Sequence, residues 1–93
     1  MASDDQPESS SSEWIVYIVR CHDESLYTGI TTDIDRRIRQ HNAGTASRYT
    51  RSRRPVKLVY NESRGSHSLA LKRELAIKAQ TRKAKEALIK SVK

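Results

Sequence analysis

The longest apolar run of this sequence, residues 14–19, sets the strongest limit on how the chain can fold. It consists of Trp-Ile-Val-Tyr-Ile-Val, and its β-branched and aromatic residues occupy both faces, which is typical of an interior β-strand. The run is far too short to cross a bilayer, and no basic segment precedes it as in a secretory signal. A chain of 93 residues has room for one modest core. We therefore expect a single domain over residues 13–93.

Basic charge is concentrated outside the first residues of the chain. Residues 1–13 contain four of the eleven acidic residues and no lysine or arginine. The other seven acids stand against eighteen basic residues, so residues 14–93 carry a formal net charge of +11. A small domain with this charge repels itself unless its usual partner is a polyanion. Nucleic acid is the leading partner class, and an anionic membrane surface is second.

The amino-terminal segment and the cysteine content indicate the setting of the domain. Residues 1–12 contain five serines, one proline and three acids, so we expect a disordered acidic tail. Cys21 is the only cysteine, which excludes an internal disulfide framework and a thiolate-rich zinc site. These features predict a reducing, cytoplasmic location.

Residue patterns predict an α+β domain with the element order ββα(α)βαα, in which helices cover a small sheet. Strands are expected over 14–19, 26–30 and 56–60, and the first two are expected to form an antiparallel hairpin. Residues 45–55 fit either a short helix or an ordered loop.

Capping residues bound the predicted helices. Thr31-Thr32 is expected to cap a helix over 33–42, which Ala43-Gly44 ends. Ser66 or Ser68 is expected to begin a helix that runs to about residue 79. Thr81 is expected to cap the last helix, whose apolar positions are Ala84, Ala87, Leu88 and Val92.

Polar residues interrupt the apolar stripe of the helix predicted over 33–42. The stripe joins Ile34 and Ile38 to Arg37 and His41, which lie one turn apart on the face expected to point inward. Other polar side chains of this helix lie on the side expected to face solvent, so a charged residue did not need to stand on the inward face. Arg37 and His41 are therefore candidate functional residues.

A carboxylate interrupts the helix predicted over 67–79 in the same way. Glu74 lies among the apolar positions expected to form the buried face, which are Ala70, Leu71, Leu75 and Ile77. A carboxylate in that position is costly unless it meets a cation, a metal ion or several donors. Arg37 is an available cation.

Two tyrosines add polar groups to the strands. Tyr17 lies inside the most apolar strand, and Tyr27 shortly precedes Gly29, the lone strand glycine. A glycine there lets backbone or ligand approach closely. Both tyrosines could therefore converge with the three polar helix residues on one rim of the domain.

Such a set of residues suits the cleavage of phosphodiesters. Glu74 can hold a divalent cation through oxygen, and Arg37 can neutralise charge on phosphoryl oxygens. Tyr17 or His41 can move the proton of an attacking water. Each residue also has a structural interpretation: a buried Arg37–Glu74 ion pair, a histidine stabilised by a helix end, and core tyrosines with satisfied hydroxyls.

Motif spacing adds a family resemblance. Val16-Tyr17-Ile18 and Tyr27-Thr28-Gly29, with Arg37 eight positions after the glycine, resemble the GIY-YIG nuclease domain. Residues 26–42 are similar to the small stand-alone YhbQ-like (UPF0213-type) group and to structure-specific nucleases with the same domain. Residues 68–74 fit the pattern as well, so the resemblance covers roughly residues 14–80. It implies a three-stranded antiparallel sheet flanked by helices, and hydrolysis of DNA with one Mg²⁺ or Mn²⁺ ion.

The resemblance also implies a role for each matching residue. Glu74 would ligate the metal ion, and Arg37 would stabilise the phosphate. Tyr17 would be the general base, while Tyr27 and His41 would position water and phosphate. The first motif lacks its glycine, and the active-site asparagine found late in some relatives has no counterpart after residue 61. The residues expected to support the site or to bind DNA are Gly29, Arg36, Arg48, Arg51, Arg53, Arg54 and Lys57.

These observations leave functions of different classes open. The first is a metal-dependent endonuclease that acts on double-stranded, branched or damaged DNA. The alternative is a non-catalytic, basic nucleic-acid-binding module that retains the nuclease scaffold. An adaptor for acidic proteins or membrane headgroups is the weakest, because no predicted helix combines a large exposed apolar face with the charge. Without a separate DNA-binding domain, target choice would come from the basic surface, a homodimer or a partner protein.

Overall fold

A computed structural model describes residues 13–91, so the tail predicted for residues 1–12 and the last apolar position, Val92, lie outside the described part. The order of elements is the predicted one, and a short helix occupies the segment that sequence patterns left open. The elements are β1 (Trp14–Arg20), β2 (Leu26–Thr31), α1 (Ile34–Ala43), α2 (Arg48–Arg51), β3 (Lys57–Gly65), α3 (His67–Lys78) and α4 (Arg82–Lys90).

The three strands form one antiparallel sheet in the order β2-β1-β3, which confirms the predicted α+β fold. The apolar run lies in the central strand, where both edges of its backbone are hydrogen-bonded. Tyr17, at the middle of β1, lies opposite Gly29 of β2 and Asn61 of β3. The centre of the sheet thus holds one of the candidate site residues.

Alternating side chains of β1 divide the core into two clusters, as the pleat of a strand requires. Val16 and Ile18 pack with residues of β3 and α3, and partly buried residues of α4 join them. Tyr17 and Val19 pack on the other face, against which α1 contributes two partly buried isoleucines. Each face holds one buried tyrosine of the sheet, Tyr60 on the first and Tyr17 on the second.

The ends of α1 differ in how well the sequence predicted them. The N-cap is Asp33, and the expectation of Thr31-Thr32 was wrong. The Asp33 side chain accepts a hydrogen bond from the Arg36 backbone N–H at 3.1 Å, whereas Thr31 is the last residue of β2 and pairs with Ile15. Gly44 ends the helix as predicted, with a φ of 84° that suits glycine.

The third strand is longer than expected. Residues 56–60 were predicted, but β3 spans Lys57–Gly65 and pairs with β1 as far as Trp14. Because β3 is an edge strand, its polar residues can face solvent while its backbone completes the sheet. Register shifts between Trp14 and Ile15 and between Ile18 and Val19 accommodate the extra length.

The carboxyl-terminal helices confirm two predicted caps and correct one predicted face. Ser66 caps α3 and Thr81 caps α4. The expectation that Leu71 and Leu75 are buried was wrong, because they are 40% and 60% exposed. The buried stripe of α3 is narrow and consists of Ala70, Glu74 and Ile77. Among the described helices, none has the length and apolar character needed to span a membrane.

Candidate active site

Tyr17 and His41 form the centre of the candidate site. The phenol oxygen of Tyr17 lies 2.8 Å from Nε2 of His41, and the two residues are 2% and 1% exposed. The central strand supplies the tyrosine, and the last turn of α1 supplies the histidine. Sequence periodicity predicted that His41 points inward, and the structure shows that its partner there is Tyr17.

Gly29 makes room for this pair. A Cβ atom at position 29 would lie 2.5 Å from the phenol oxygen of Tyr17 and 2.7 Å from its Cζ. The ring therefore lies directly against the backbone of β2. Gly29 was predicted to allow a close approach, and the approaching group is the Tyr17 side chain.

Substituting alanine for Gly29 should displace the Tyr17 ring and lengthen its hydrogen bond to His41. We expect a loss of about 1–3 kcal/mol in the free energy of unfolding, since the added methyl overpacks a rigid ring. Urea unfolding measures the loss. The Gly29→Ala/Tyr17→Phe double variant should lose less stability than the sum of the losses of the two single variants. Wild-type stability for Gly29→Ala would contradict this contact.

A second polar contact holds the other side of the His41 ring. Nδ1 of His41 lies 2.8 Å from Oγ1 of Thr50, which is 0% exposed. Thr50 belongs to α2, whose N-cap is Ser47. The sequence analysis missed Thr50, because only the fold brings α2 against the end of α1. The sequence signal available in this segment is Ser47 as a helix cap, and a cap does not indicate a contact with His41.

Tyr27 borders the central pair through its ring. Tyr27 and His41 form an edge-to-face ring contact, with centroids 5.3 Å apart. Tyr27 also stacks on Tyr49 at 5.9 Å, and the Arg53 guanidinium lies 3.9 Å from the Tyr49 centroid. Tyr49 is a further residue that sequence reasoning missed. These contacts connect Tyr27 to the basic segment around α2.

Glu74 and Arg37 supply opposite charges to the site. Glu74 is nearly buried on α3, and its Oε2 lies 3.2 Å from Nζ of Lys78, one turn further along the helix. Arg37 was predicted as an available cation for Glu74, and Lys78 was not predicted, although its i,i+4 spacing from Glu74 is visible in the sequence. Arg37 is half-buried on α1, and its charge acts on His41.

Burial and these charges keep both central groups neutral near pH 7. Burial raises the pKa of the Tyr17 phenol far above its ordinary value, and the charges of Tyr27 and Glu74 add to this effect. Burial, together with the smaller effect of the nearby Arg37 charge, lowers the pKa of His41 from 6.5 to about 4. A neutral phenol can therefore donate a hydrogen bond to a neutral imidazole.

The buried histidine makes the stability of the protein depend on pH. The unfolded chain binds a proton at His41 with a pKa near 6.5, whereas the folded chain binds it only near 4. Stability is therefore complete above about pH 6.5 and declines as the pH falls through this interval. Between pH 7.5 and pH 5 we expect a loss of about 2 kcal/mol in the free energy of unfolding.

Urea unfolding of the wild type and of His41→Gln at both pH values tests this expectation. The variant should be less stable than the wild type at pH 7.5. Its free energy of unfolding should differ much less between the two pH values than that of the wild type. Carboxylates such as Glu86, whose pKa is lowered to about 2 mainly by hydrogen bonds from Arg20, contribute only below this interval. Equal wild-type stability at pH 7.5 and pH 5 would contradict the neutral, buried state of the histidine.

The basic residues predicted to bind DNA are spread over more than one surface. The backbone of Arg51 and the side chain of Arg54 are linked by a hydrogen bond, and both residues line an open cleft of about 580 Å³. Arg53 is held by Asp23 and by the Tyr49 carbonyl. Lys57 lines a different cleft, beside Cys21. The exposed members are Arg48, Arg51, Arg54 and Lys57, while Arg36 and Arg53 are half-buried.

The donor set suits a weakly held Mg²⁺ ion. Within residues 13–91 no group of three or more His, Cys, Asp or Glu side chains could hold a metal ion together. Glu74 offers one nearly buried carboxylate whose present partner is the flexible cation Lys78. Mg²⁺ commonly binds through one or two carboxylates and completes its shell with water and substrate phosphates. Glu74 therefore fits as the protein ligand of an ion that binds together with a phosphate.

The three-stranded sheet β2-β1-β3, with tyrosines from two strands in contact with a histidine of α1, defines a small α+β domain with a polar site beside its central strand. A comparison with family models agrees with this description. The chain belongs to the GIY-YIG catalytic domain family, whose model matches residues 13–87.

Individual relatives are similar over most of their length. A UPF0213 protein of Haloquadratum walsbyi is 58% identical over 73 residues, which are 78% of this chain and 82% of that protein. A UPF0213 protein of Desulfotalea psychrophila is 53% identical over 87 residues, 92% of this chain and 79% of the relative.

Solved structures agree with the fold. The solution NMR structure of a UPF0213 protein from Bacillus halodurans has a TM-score of 0.57 at 41% identity, covering 86% of this chain and 85% of the other. A solution NMR structure from E. faecalis has a TM-score of 0.59 at 35% identity, covering 96% and 90%. The predicted resemblance to this group is confirmed.

Proposed function

We propose that the protein is a metal-dependent endonuclease that hydrolyses phosphodiester bonds in DNA. One observation carries the proposal: the Tyr17 phenol contacts His41 Nε2 at 2.8 Å, with the charges of Glu74 and Arg37 acting on the same pair. Burying a tyrosine hydroxyl and an imidazole costs free energy unless both are hydrogen-bonded, a cost that two apolar side chains would not have. Such a contact is expected where a proton must be moved.

The proton path follows from the contacts of Tyr17. Water that attacks phosphorus gives one proton to the phenol oxygen while the phenol passes its own proton to Nε2 of His41. The water oxygen forms the new bond to phosphorus, the bond from phosphorus to the leaving oxygen breaks, and the leaving oxygen takes a proton from solvent water. His41 becomes an imidazolium and Tyr17 remains a neutral phenol. This transfer is favourable only when charge develops in the transition state, as general base catalysis requires. After cleavage His41 returns its proton to solvent through Tyr17, which restores the neutral pair.

Charge on the phosphate is balanced by the two charged residues. Arg37 donates hydrogen bonds to phosphoryl oxygens, where the guanidinium fork matches two oxygens at once. Glu74 would hold the metal ion, releasing Lys78. When bound, a divalent ion supplies Lewis-acid polarisation of the phosphate and stabilises the leaving oxygen.

DNA is the proposed substrate because a basic segment adjoins the proposed catalytic groups. Tyr27 stacks on Tyr49, and Tyr49 contacts the Arg53 guanidinium, so the basic segment around α2 continues directly from the site. Arginine contacts to phosphates would hold a duplex or a branched end without reading its sequence. We assign target choice to this surface, with a second copy or a partner protein as the other source.

A nicking assay on supercoiled plasmid tests the proposal. Purified protein is incubated with Mg²⁺, with Mn²⁺ and with EDTA, and branched oligonucleotides are tested in parallel. We expect cleavage with either metal and none with EDTA. Salt-dependent binding to DNA without cleavage of any form would overturn the endonuclease proposal and favour the non-catalytic binding module.

A further inference from the structure

We propose that Thr50 is a positioning residue that fixes the tautomer of His41, so that Nε2 faces Tyr17 without a proton. The catalytic consequence rests on the proposed endonuclease function, whereas the tautomer itself does not. Thr50 is neither part of the tyrosine motifs nor a charged residue, and its role follows only from where the fold places its hydroxyl.

The hydroxyl of Thr50 is completely enclosed and closely surrounded by polar atoms. Oγ1 lies 2.8 Å from Nδ1 of His41, 3.0 Å from Oγ of Ser47 and 3.4 Å from the Ser47 carbonyl oxygen. Every polar neighbour among these contacts is therefore either the imidazole or Ser47. The single hydroxyl proton of Thr50 can be donated either to His41 Nδ1 or to Ser47.

The hydrogen bond between Tyr17 and Nε2 of His41 decides between these two acceptors. Tyr17 carries its phenolic proton, and the acceptor within reach is Nε2 of His41 at 2.8 Å. Nε2 is then the bare nitrogen, so the neutral ring carries its proton on Nδ1. Nδ1–H donates to Thr50 Oγ1, and the Thr50 hydroxyl donates onward to Ser47. All protons in the chain from Tyr17 to Ser47 have an acceptor.

The short helix α2 keeps the hydroxyl in this position. The Thr50 backbone N–H donates to Oγ of Ser47 at 3.0 Å, which caps the helix. The Arg53 backbone N–H donates to the Thr50 carbonyl at 2.9 Å, and the Arg53 side chain is anchored to Tyr49 and Asp23. Thr50 is thus held through its backbone from both sides, independently of His41.

Loss of this hydroxyl would leave the imidazole free to hold its proton on either nitrogen. The form protonated on Nε2 donates to the phenol oxygen and cannot take a proton from it. The relay from water through Tyr17 then has no final acceptor. A wrong histidine tautomer is a known cause of large rate losses in relays of this type.

The tautomer can be read directly by long-range ¹H–¹⁵N NMR of the imidazole at pH 7.5, which distinguishes a protonated ring nitrogen from a bare one. We expect the wild-type protein and Thr50→Ser to carry the proton on Nδ1. Thr50→Val, which keeps the side-chain shape, should shift the population toward the form protonated on Nε2. Wild-type protein with the proton on Nε2 would overturn the proposal without any variant.

Kinetics on DNA provide the second readout. Thr50→Val should lower kcat about 10- to 100-fold with little change in KM, and Thr50→Ser should stay within about threefold of the wild type. A variant with the altered tautomer and an unchanged kcat would overturn the catalytic role. Should the wild type cut no DNA, the endonuclease proposal fails, and the imidazole spectrum alone still decides whether Thr50 positions His41.

Discussion

We expect Glu74→Gln to lower the proposed metal-dependent cleavage of DNA about 10³-fold or more, which corresponds to roughly 4 kcal/mol of transition-state stabilisation. The amide keeps the shape of the side chain in its nearly buried position, so the domain stays folded. It removes the carboxylate that is proposed to hold the divalent ion. Plasmid nicking at several Mg²⁺ concentrations measures the loss, and circular dichroism verifies the fold.

Glu86→Gln is the matched control for this result. Glu86 is also a carboxylate with basic partners, Arg20 and Arg82, but it lies on α4 and belongs to no part of the proposed site. Its loss should leave cleavage within about twofold of the wild type, since partly exposed ion pairs contribute little. Undiminished cleavage by Glu74→Gln, or equal losses in both variants, would remove Glu74 from the metal site.

We expect Tyr17→Phe to lower the kcat of the proposed DNA cleavage about 10²- to 10³-fold, with KM for DNA nearly unchanged. Phenylalanine keeps the ring against Gly29 and within its core cluster. It removes only the hydroxyl that is proposed to pass a proton to His41. Single-turnover cleavage across a range of enzyme concentrations separates this loss from weaker binding.

Tyr60→Phe is the matched control for the hydroxyl. Tyr60 is also a buried strand tyrosine, but it lies in the other core cluster, and its hydroxyl donates to Glu62. Its variant should cut DNA at close to the wild-type rate. A Tyr17→Phe protein with wild-type kcat would exclude the phenol as the base and transfer that role to another group.

Much of the candidate site was visible in the sequence, because the helical period marks which side of a helix faces inward. Arg37 and His41 occupy such positions on α1, and Glu74 does so on α3. A polar residue on an apolar stripe is a local signal that needs no knowledge of the fold. The pairing of Tyr17 with Gly29 required the register of the hairpin, which the length of the turn alone does not determine.

Contacts between distant segments were the part that sequence reasoning could not supply. Thr50 meets His41 only because α2 folds back onto the end of α1, and nothing local to either segment encodes that path. The errors have a related origin. Leu71 and Leu75 were placed inside by composition, whereas the narrow buried stripe of α3 leaves both exposed. The polar half of β3 was missed because an edge strand needs no apolar pattern.

The packing of Tyr17 within the core has a consequence for how relatives of this protein diverge. If the proposed function holds, the same side chain fills the interior and moves the proton, so mutation cannot retune the chemistry without weakening the scaffold. The arginines around α2 are under no such double constraint, since several are exposed. Change over generations should therefore accumulate on the basic surface proposed to bind DNA, and new targets can arise while the reaction stays the same.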